Sequence, residues 1–232
     1  STAGAGSACK LAALKLIEQA RSTAAERLEV EPSQVEYAAG VFHARGSKRK
    51  IGIRELAKSG AINVMAEGTF GSTFPNGCHI AEVEIDPGTG TAEIASYCAV
   101  DDLGTVINHA VVEGQLHGGV AMGAGQVLGE KVVYDRGSGQ LLTGSFMDYY
   151  MPRAGLLPAI RGAEHPTPST VSPLGVKGVG ESGCTGSLPA VANAVMDALA
   201  PLGIGHLDMP LTPAKVWHAI HAARKGNDGC TH

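Results

Sequence analysis

The stretch Ser172-Pro173-Leu174-Gly175-Val176-Lys177-Gly178-Val179-Gly180-Glu181-Ser182-Gly183 constrains this chain more than any other. It places one Lys and one Glu among four glycines and runs into an apolar helix. Glycines this dense permit positive φ and let the backbone approach a bound group closely. They also leave few side chains to shield the Glu181 carboxylate. A lone acid at the mouth of a glycine turn, just before a helix, is either a cap or a catalytic group. Gly178 to Gly183 also satisfy G-x-G-x-x-G, but the context rejects a dinucleotide fingerprint. That fingerprint follows a buried strand, and Ser172-Pro173-Leu174-Gly175 reads as a turn. It also needs an acid about 20 residues on, after a second strand, where one helix to about Ala200 follows here. A carboxylate inside the loop would oppose a pyrophosphate at the helix N-terminus.

A second glycine-rich stretch is Val112-Glu113-Gly114-Gln115-Leu116-His117-Gly118-Gly119-Val120-Ala121-Met122-Gly123, within a helix predicted over about 110–128. Gly114 and Gly118, and Gly119 and Gly123, are each four apart, so they stack on helix faces and admit a backbone or a ligand. A helical glycine costs about 1 kcal/mol against alanine, so the cluster needs a packing or binding reason. Gln115, between them, offers both a donor and an acceptor.

These two stretches, their spacing, and Gly144-Ser145-Phe146-Met147-Asp148-Tyr149 between them resemble the molybdenum hydroxylases. This is the family of xanthine, aldehyde and carbon monoxide dehydrogenases. The resemblance covers nearly the whole chain. It implies an α+β fold in which antiparallel sheets pack with glycine-rich helices, the molybdenum-cofactor-binding domain of the xanthine dehydrogenase type. It implies that residues 1–232 are the C-terminal cofactor-binding region of a longer subunit, with a possible small appendage at 30–60. The activity implied is oxidative hydroxylation of an aldehyde, an N-heterocycle or a related small substrate, with carbon monoxide as a further option. Glu181 would be the base that takes up a proton. Gln115, Gly114, Gly118, Lys177, Gly178 and Gly180 would bind molybdopterin in its cytosine dinucleotide form, with molybdenum. Ser1 and Thr2 match the end of the family's pterin-binding Gly-Ser-Arg-Ser-Thr turn. No side chain is assigned as a direct metal ligand. Iron–sulfur clusters and FAD are expected on other subunits, so the implied partners are those subunits and the N-terminal half of this one. The competing reading is a catalytically silent binding or scaffold domain that keeps the fold.

Composition is compatible with this. Hydrophobic residues at 44% and a net charge of −4 argue against disorder, a nucleic-acid surface and a membrane surface. No apolar run approaches the length of a membrane span, and the N-terminus lacks a secretory signal pattern. Cys9, Cys78, Cys98, Cys184 and Cys230 are odd in number and contain no C-x-x-C pair, which fits a reducing cytoplasm.

In chain order, Ser7 is a plausible N-cap for a helix over about 8–28, with a buried stripe through Leu11, Leu14, Ile17, Ala20 and Ala24. A hairpin around Ala39-Gly40 and a short helix over 53–58 follow, with Arg45, Lys48, Arg49 and Lys50 as a solvated basic loop. Strands are predicted at Ile62–Ala66, at His79–Ile85 and at Glu93–Val100, the last two joined by an Asp86-Pro87-Gly88-Thr89-Gly90 turn. His79 lacks a second His or carboxylate at ligand spacing and reads as structural. Asp101 and Asp102 are neighbours whose side chains should diverge. Further strands are predicted at 132–134 and 141–142, with Met147–Pro152 a mostly buried strand. Residues 158–173 read as a proline-rich connection. Helices over about 187–200, with Pro189 in the first turn, and from Pro213 onward close the chain.

Overall fold

The computed structural model describes residues 2–58, 60 and 62–228, so Ser1 and Cys230 lie outside the described residues. The chain divides into two compact units, one formed by 1–73 with 169–176 and the other by 74–168 with 177–232.

In the first unit, helix α1 (Ser7–Leu28) is preceded by a π-helical turn over Thr2–Gly6. Ser7 is therefore no N-cap. It is a fully buried first residue of an already helical chain, and its hydroxyl has no partner. The expected stripe is buried only in its C-terminal half, at Ala20, Ala24, Ala25 and Leu28, while Leu14 is exposed. That half packs on an antiparallel sheet of β1 (Val35–Ala38), β2 (Val41–Ala44) and β3 (Lys50–Gly52). The short helix α2 (Ile53–Lys58) adds Leu56 to a core built around Phe42 and Val35. Arg45 and Arg49 sit on the surface, bonded to Glu36 and Glu29. Residues 62–73 form no strand, because no ladder partner accompanies the Ile62–Ala66 alternation.

The second unit carries a three-stranded sheet. Strand β4 (Asn76–Ile85) pairs antiparallel with β5 (Ala92–Asp102) from Asn76↔Asp102 to Ile85↔Ala92, with a register shift at Glu82/Val83. The hairpin turn is closed by Asp86, whose carboxylate accepts from the Gly88 N–H at 2.8 Å and the Thr89 hydroxyl at 2.7 Å. Gly90 there adopts φ +75°, a left-handed conformation that disfavours side chains. The third strand, β6 (Ile160–Glu164), lies inside the segment expected to be an unstructured connection, and it pairs parallel to β5. A parallel neighbour needs a long crossover, and helix α3 (His109–Leu128) with the segment after it supplies one. That segment holds only an isolated bridge, Tyr134↔Leu141, instead of the expected strands. Residues 147–152 form no strand, and Met147 is exposed rather than buried.

Helix α4 (Ser182–Leu199) begins about one turn before the sequence suggested, so Pro189 is interior rather than in the first turn. It packs on α3 and on β4. The last helix, α5 (Pro213–Asp228), closes the core through Val216 and Ile220. That core gathers Tyr97, Ala99, Val120, Val127, Val191, Val195 and Leu211.

Small residues set the α3–α4 approach. A methyl group built on Gly183 would stand 2.6 Å from the Leu116 carbonyl oxygen and 3.1 Å from the Gly119 Cα. One built on Gly119 would stand 2.7 Å from the Cys184 nitrogen, and one on Gly123 would overlap the Ser187 hydroxyl. Gly114 and Gly118 face the other way, with no atom within 4 Å of the corresponding position. Two of the α3 glycines, Gly119 and Gly123, thus pack on α4, and two, Gly114 and Gly118, stay open. Gly183→Ala is expected to destabilise the protein by about 1–3 kcal/mol, the usual cost of overpacking. Gly114→Ala should instead leave stability unchanged or raise it by up to about 1 kcal/mol, through helix propensity alone. Denaturant unfolding of the two variants beside wild type checks the contrast.

Candidate active site

The open glycines of α3 border a groove in the second unit. It has a volume of about 410 Å³, and its walls include Gly114, Gln115 and Gly118 of α3 together with Gly180, Glu181 and Cys184 at the start of α4. Asn108 fixes the near end of α3, its side-chain oxygen accepting from the Val111 N–H at 3.1 Å. Gln115 points across the groove: its Oε1 lies 3.7 Å from the point where a side chain on Gly180 would begin. Of the four glycines around Glu181, only Gly175 adopts positive φ, at 69°. The others serve by lacking a side chain. Gly180 leaves room beside Gln115, and Gly183 admits α3.

Glu181 occupies the N-cap position of α4 but makes no capping hydrogen bond with its side chain. Its carbonyl accepts from the Thr185 N–H at 2.9 Å, while its carboxylate is exposed and lines the groove. A second cavity of about 440 Å³ shares Glu181 and Thr185 with the first and is otherwise bounded by Pro75, Asn76, Gly77, His79, Asp101, Ser182 and Gly186. Glu181 therefore stands on the partition between two cavities.

Five of the residues singled out by sequence meet at this groove, namely Gln115, Gly114, Gly118, Gly180 and Glu181. Lys177 and Gly178 do not line it. The Lys177 ammonium is nearly buried, 2.6 Å from the Asp102 carboxylate. Thr2 lies in the π-helical turn of the other unit, and Ser1 is outside the described residues. Met122, Cys184, Thr185 and Leu188 are wall residues that sequence reasoning missed. The spacing Glu181, Cys184, Thr185, Leu188 is one helical face, and it becomes visible only once α4 is known to begin at Ser182. Burial pushes the Cys184 thiol up, and the negative charges of Glu181 and Glu130 add to the effect.

The adjacent acids Asp101 and Asp102 do diverge. Asp101 bonds His79, and Asp102 bonds Lys177. The Lys177 hydrogen bond holds the Asp102 carboxyl far below the usual carboxylate range, helped by the N–H groups of Thr167 and Gly104 at 2.9 and 3.0 Å. Among the described residues no cluster of three or more His, Cys, Asp or Glu could hold a metal ion, and no helix is long and apolar enough to cross a membrane.

A model of the molybdopterin cofactor-binding domain matches residues 1–158. The chain belongs to that family. The chain is 35% identical to the carbon monoxide dehydrogenase large chain of Hydrogenophaga pseudoflava, over 95% of its own length and 29% of that protein's. It is 44% identical to the nicotine 6-hydroxylase large subunit of Paenarthrobacter nicotinovorans, over 63% of its length and 18% of that subunit's. Among solved structures, CO dehydrogenase from Oligotropha carboxidovorans superposes with a TM-score of 0.85 at 33% identity, covering 97% of this chain and 30% of that one. Quinoline 2-oxidoreductase from Pseudomonas putida 86 gives 0.77 at 32% identity, covering 90% and 28%. The chain thus spans less than a third of the length of these relatives. Glu181 lies beyond the residues matched by the domain model but within the span shared with the CO dehydrogenase large chain.

The Asp102–Lys177 pair predicts an acid-sensitive stability term. The native carboxyl binds a proton less tightly than the unfolded one. Its contribution is therefore complete above about pH 4, the ordinary carboxylate value, and fades as pH falls towards the lower native value. Asp102→Asn should lower the melting temperature at pH 7, and the gap to wild type should shrink steadily in melts below pH 4.

Proposed function

We propose that this chain is the active-site portion of a molybdenum hydroxylase large subunit, with Glu181 as the proton acceptor of the reaction. The observation that carries this is the helix-start carboxylate that caps nothing, facing the Gln115 amide across a groove floored by bare glycine backbone. The residues suit the cofactor. A fused-ring pterin needs close backbone approach, which Gly114 and Gly118 offer, and a directed donor and acceptor, which Gln115 offers. The cytosine dinucleotide form is the one proposed, and Ser1 and Thr2 are proposed as further cofactor-binding residues. When bound, the cofactor supplies two-electron redox chemistry.

The work of the chain's own side chains is then limited and specific. Gln115 orients the group in the groove through its amide. Glu181 holds its carboxylate oxygens free of the α4 backbone, so that one of them can take a proton from the reacting oxygen, and the cavity on its other side gives that proton a way out. Leu188 and Met122 add apolar surface to the groove wall. Lys177 acts one step away. Clamped by Asp102, it fixes the strand of chain that leads into Glu181.

The related large subunits named above suggest the substrate class, a small electron-poor molecule such as an aldehyde or an N-heterocycle, with carbon monoxide as the alternative. The relatives called large chain or large subunit favour assembly with further subunits, and iron–sulfur and flavin groups are proposed to lie on those. A cytoplasmic location is in keeping with four free cysteines among the described residues.

In the assembled enzyme, Glu181→Gln should lower kcat by about 10²- to 10⁴-fold, the range that general-base catalysis supplies. Molybdenum content and melting temperature should stay near wild type. Turnover per molybdenum is the measurement, and retention of more than about a tenth of the rate would remove Glu181 from this role. Gly118→Ala tests the groove separately: it should lower molybdenum and pterin content without lowering the stability of the apoprotein.

A further inference from the structure

Beneath the first turns of α4 lies a polar cluster that the proposed chemistry does not use. The His79 imidazole, on β4, is buried with both ring nitrogens engaged. Nδ1 is 2.7 Å from the Tyr97 hydroxyl and Nε2 is 3.3 Å from Asp101 Oδ1. The side chains of His79 and Asp101 are only 3% and 6% exposed, and Tyr97 is 1% exposed. An ionised carboxylate can only accept, so the proton of a neutral imidazole belongs on Nε2, which leaves Nδ1 to accept from the phenol. Burial and the Asp101 charge push the Tyr97 phenol up, which keeps it a donor.

The ring does more than satisfy itself. A methyl group on Gly186 would stand 2.5 Å from His79 Nδ1 and 2.6 Å from its Cε1 and Cγ, so the imidazole lies directly against the α4 backbone. Glu181 is just over one turn before Gly186, at a helix start that its own side chain does not cap. Glu181, His79 and Asp101 also line the same cavity.

We propose that His79, locked in one tautomer by Asp101 and Tyr97, is a positioning residue. On this view it is the pedestal that holds the first turn of α4, and so the Glu181 carboxylate, at its working place and angle. The inference rests on the reading of Glu181 as the proton acceptor. Any buried histidine pairs both ring nitrogens, but a plain core histidine would not need a glycine directly above it. A ring that sets the height of a helix start needs that close contact, and its two hydrogen bonds hold it rigid enough to place another group within a fraction of an ångström.

The test uses the assembled, cofactor-loaded enzyme and two variants. Tyr97→Phe keeps the aromatic packing and removes one of the two locks. Gly186→Ala keeps every polar group and pushes the ring instead. Each is expected to lower kcat roughly 10- to 100-fold with KM and molybdenum content unchanged, the scale of a misplaced catalytic group. Introduced into Glu181→Gln, neither should lower the rate further. Independently of activity, hydrogen–deuterium exchange in the peptide over 181–190 should rise while that over 109–128 stays at the wild-type level. Wild-type exchange over 181–190 in both variants, or loss of molybdenum in proportion to rate in both, would overturn the positioning role. Full activity of Glu181→Gln with raised exchange would instead overturn only the reading of Glu181.

Discussion

The close seat of α4 on α3 is the constraint from which the rest of the second unit follows. Gly183 rests on the Leu116 carbonyl, and Gly119 and Gly123 meet Cys184 and Ser187, so the two backbones approach as helices bearing side chains could not. Each helical glycine costs about 1 kcal/mol of propensity. The close contact and the burial of Val120, Val191 and Val195 around it offset that cost. Because α3 turns Gly119 and Gly123 to α4, Gly114 and Gly118 lie on the open face, beside Gln115. The same seat brings the first residue before α4, Glu181, to the opposite rim. The groove is a consequence of the packing and not a separate feature added to it.

Around that seat, polar groups are assigned by strict separation. Two adjacent acids at the end of β5 point to different partners and do different work. Asp101 holds a histidine under α4, and Asp102 holds the lysine of the loop that leads to α4. Both ends of the helix start are therefore tied to one strand end. Glu181, between them, keeps its side chain out of every such tie. A carboxylate spent on capping could not also be presented to a ligand, and the Glu181 side chain makes no capping bond.

Local chemistry made part of this legible in the sequence. The alternation from His79 to Ile85, the Asp86–Gly90 turn and the returning strand specified the hairpin because all the necessary signals lie within a few residues. The glycines flanking Gln115 and Glu181 marked the two halves of the groove for the same reason. What stayed hidden depends on partners far away in the chain. Ile160–Glu164 carries no strong alternation and is a strand only because β5 offers it an edge. Val132–Tyr134 and Leu141–Leu142 have β-forming residues but no sheet to join. Helix α4 starts at Ser182 although serine and glycine are poor helix formers, since the contact with α3 requires that turn to be helical. The cluster of His79, Tyr97 and Asp101 was invisible because its members belong together only once the β4–β5 register is set. His79 had read as a strand-start residue without partners.

The central claim is that the face between α3 and α4 holds the cofactor beside Glu181. The most direct measurement is a crystal structure of the full-length subunit, assembled with its partners and loaded with molybdenum. The account predicts molybdenum and pterin density in the groove against Gly114, Gly118 and the Gln115 amide, with the Glu181 carboxylate facing the metal and no α4 backbone N–H bonded to it. A groove filled by other side chains, with the cofactor bound elsewhere or Glu181 folded back as a cap, would contradict it.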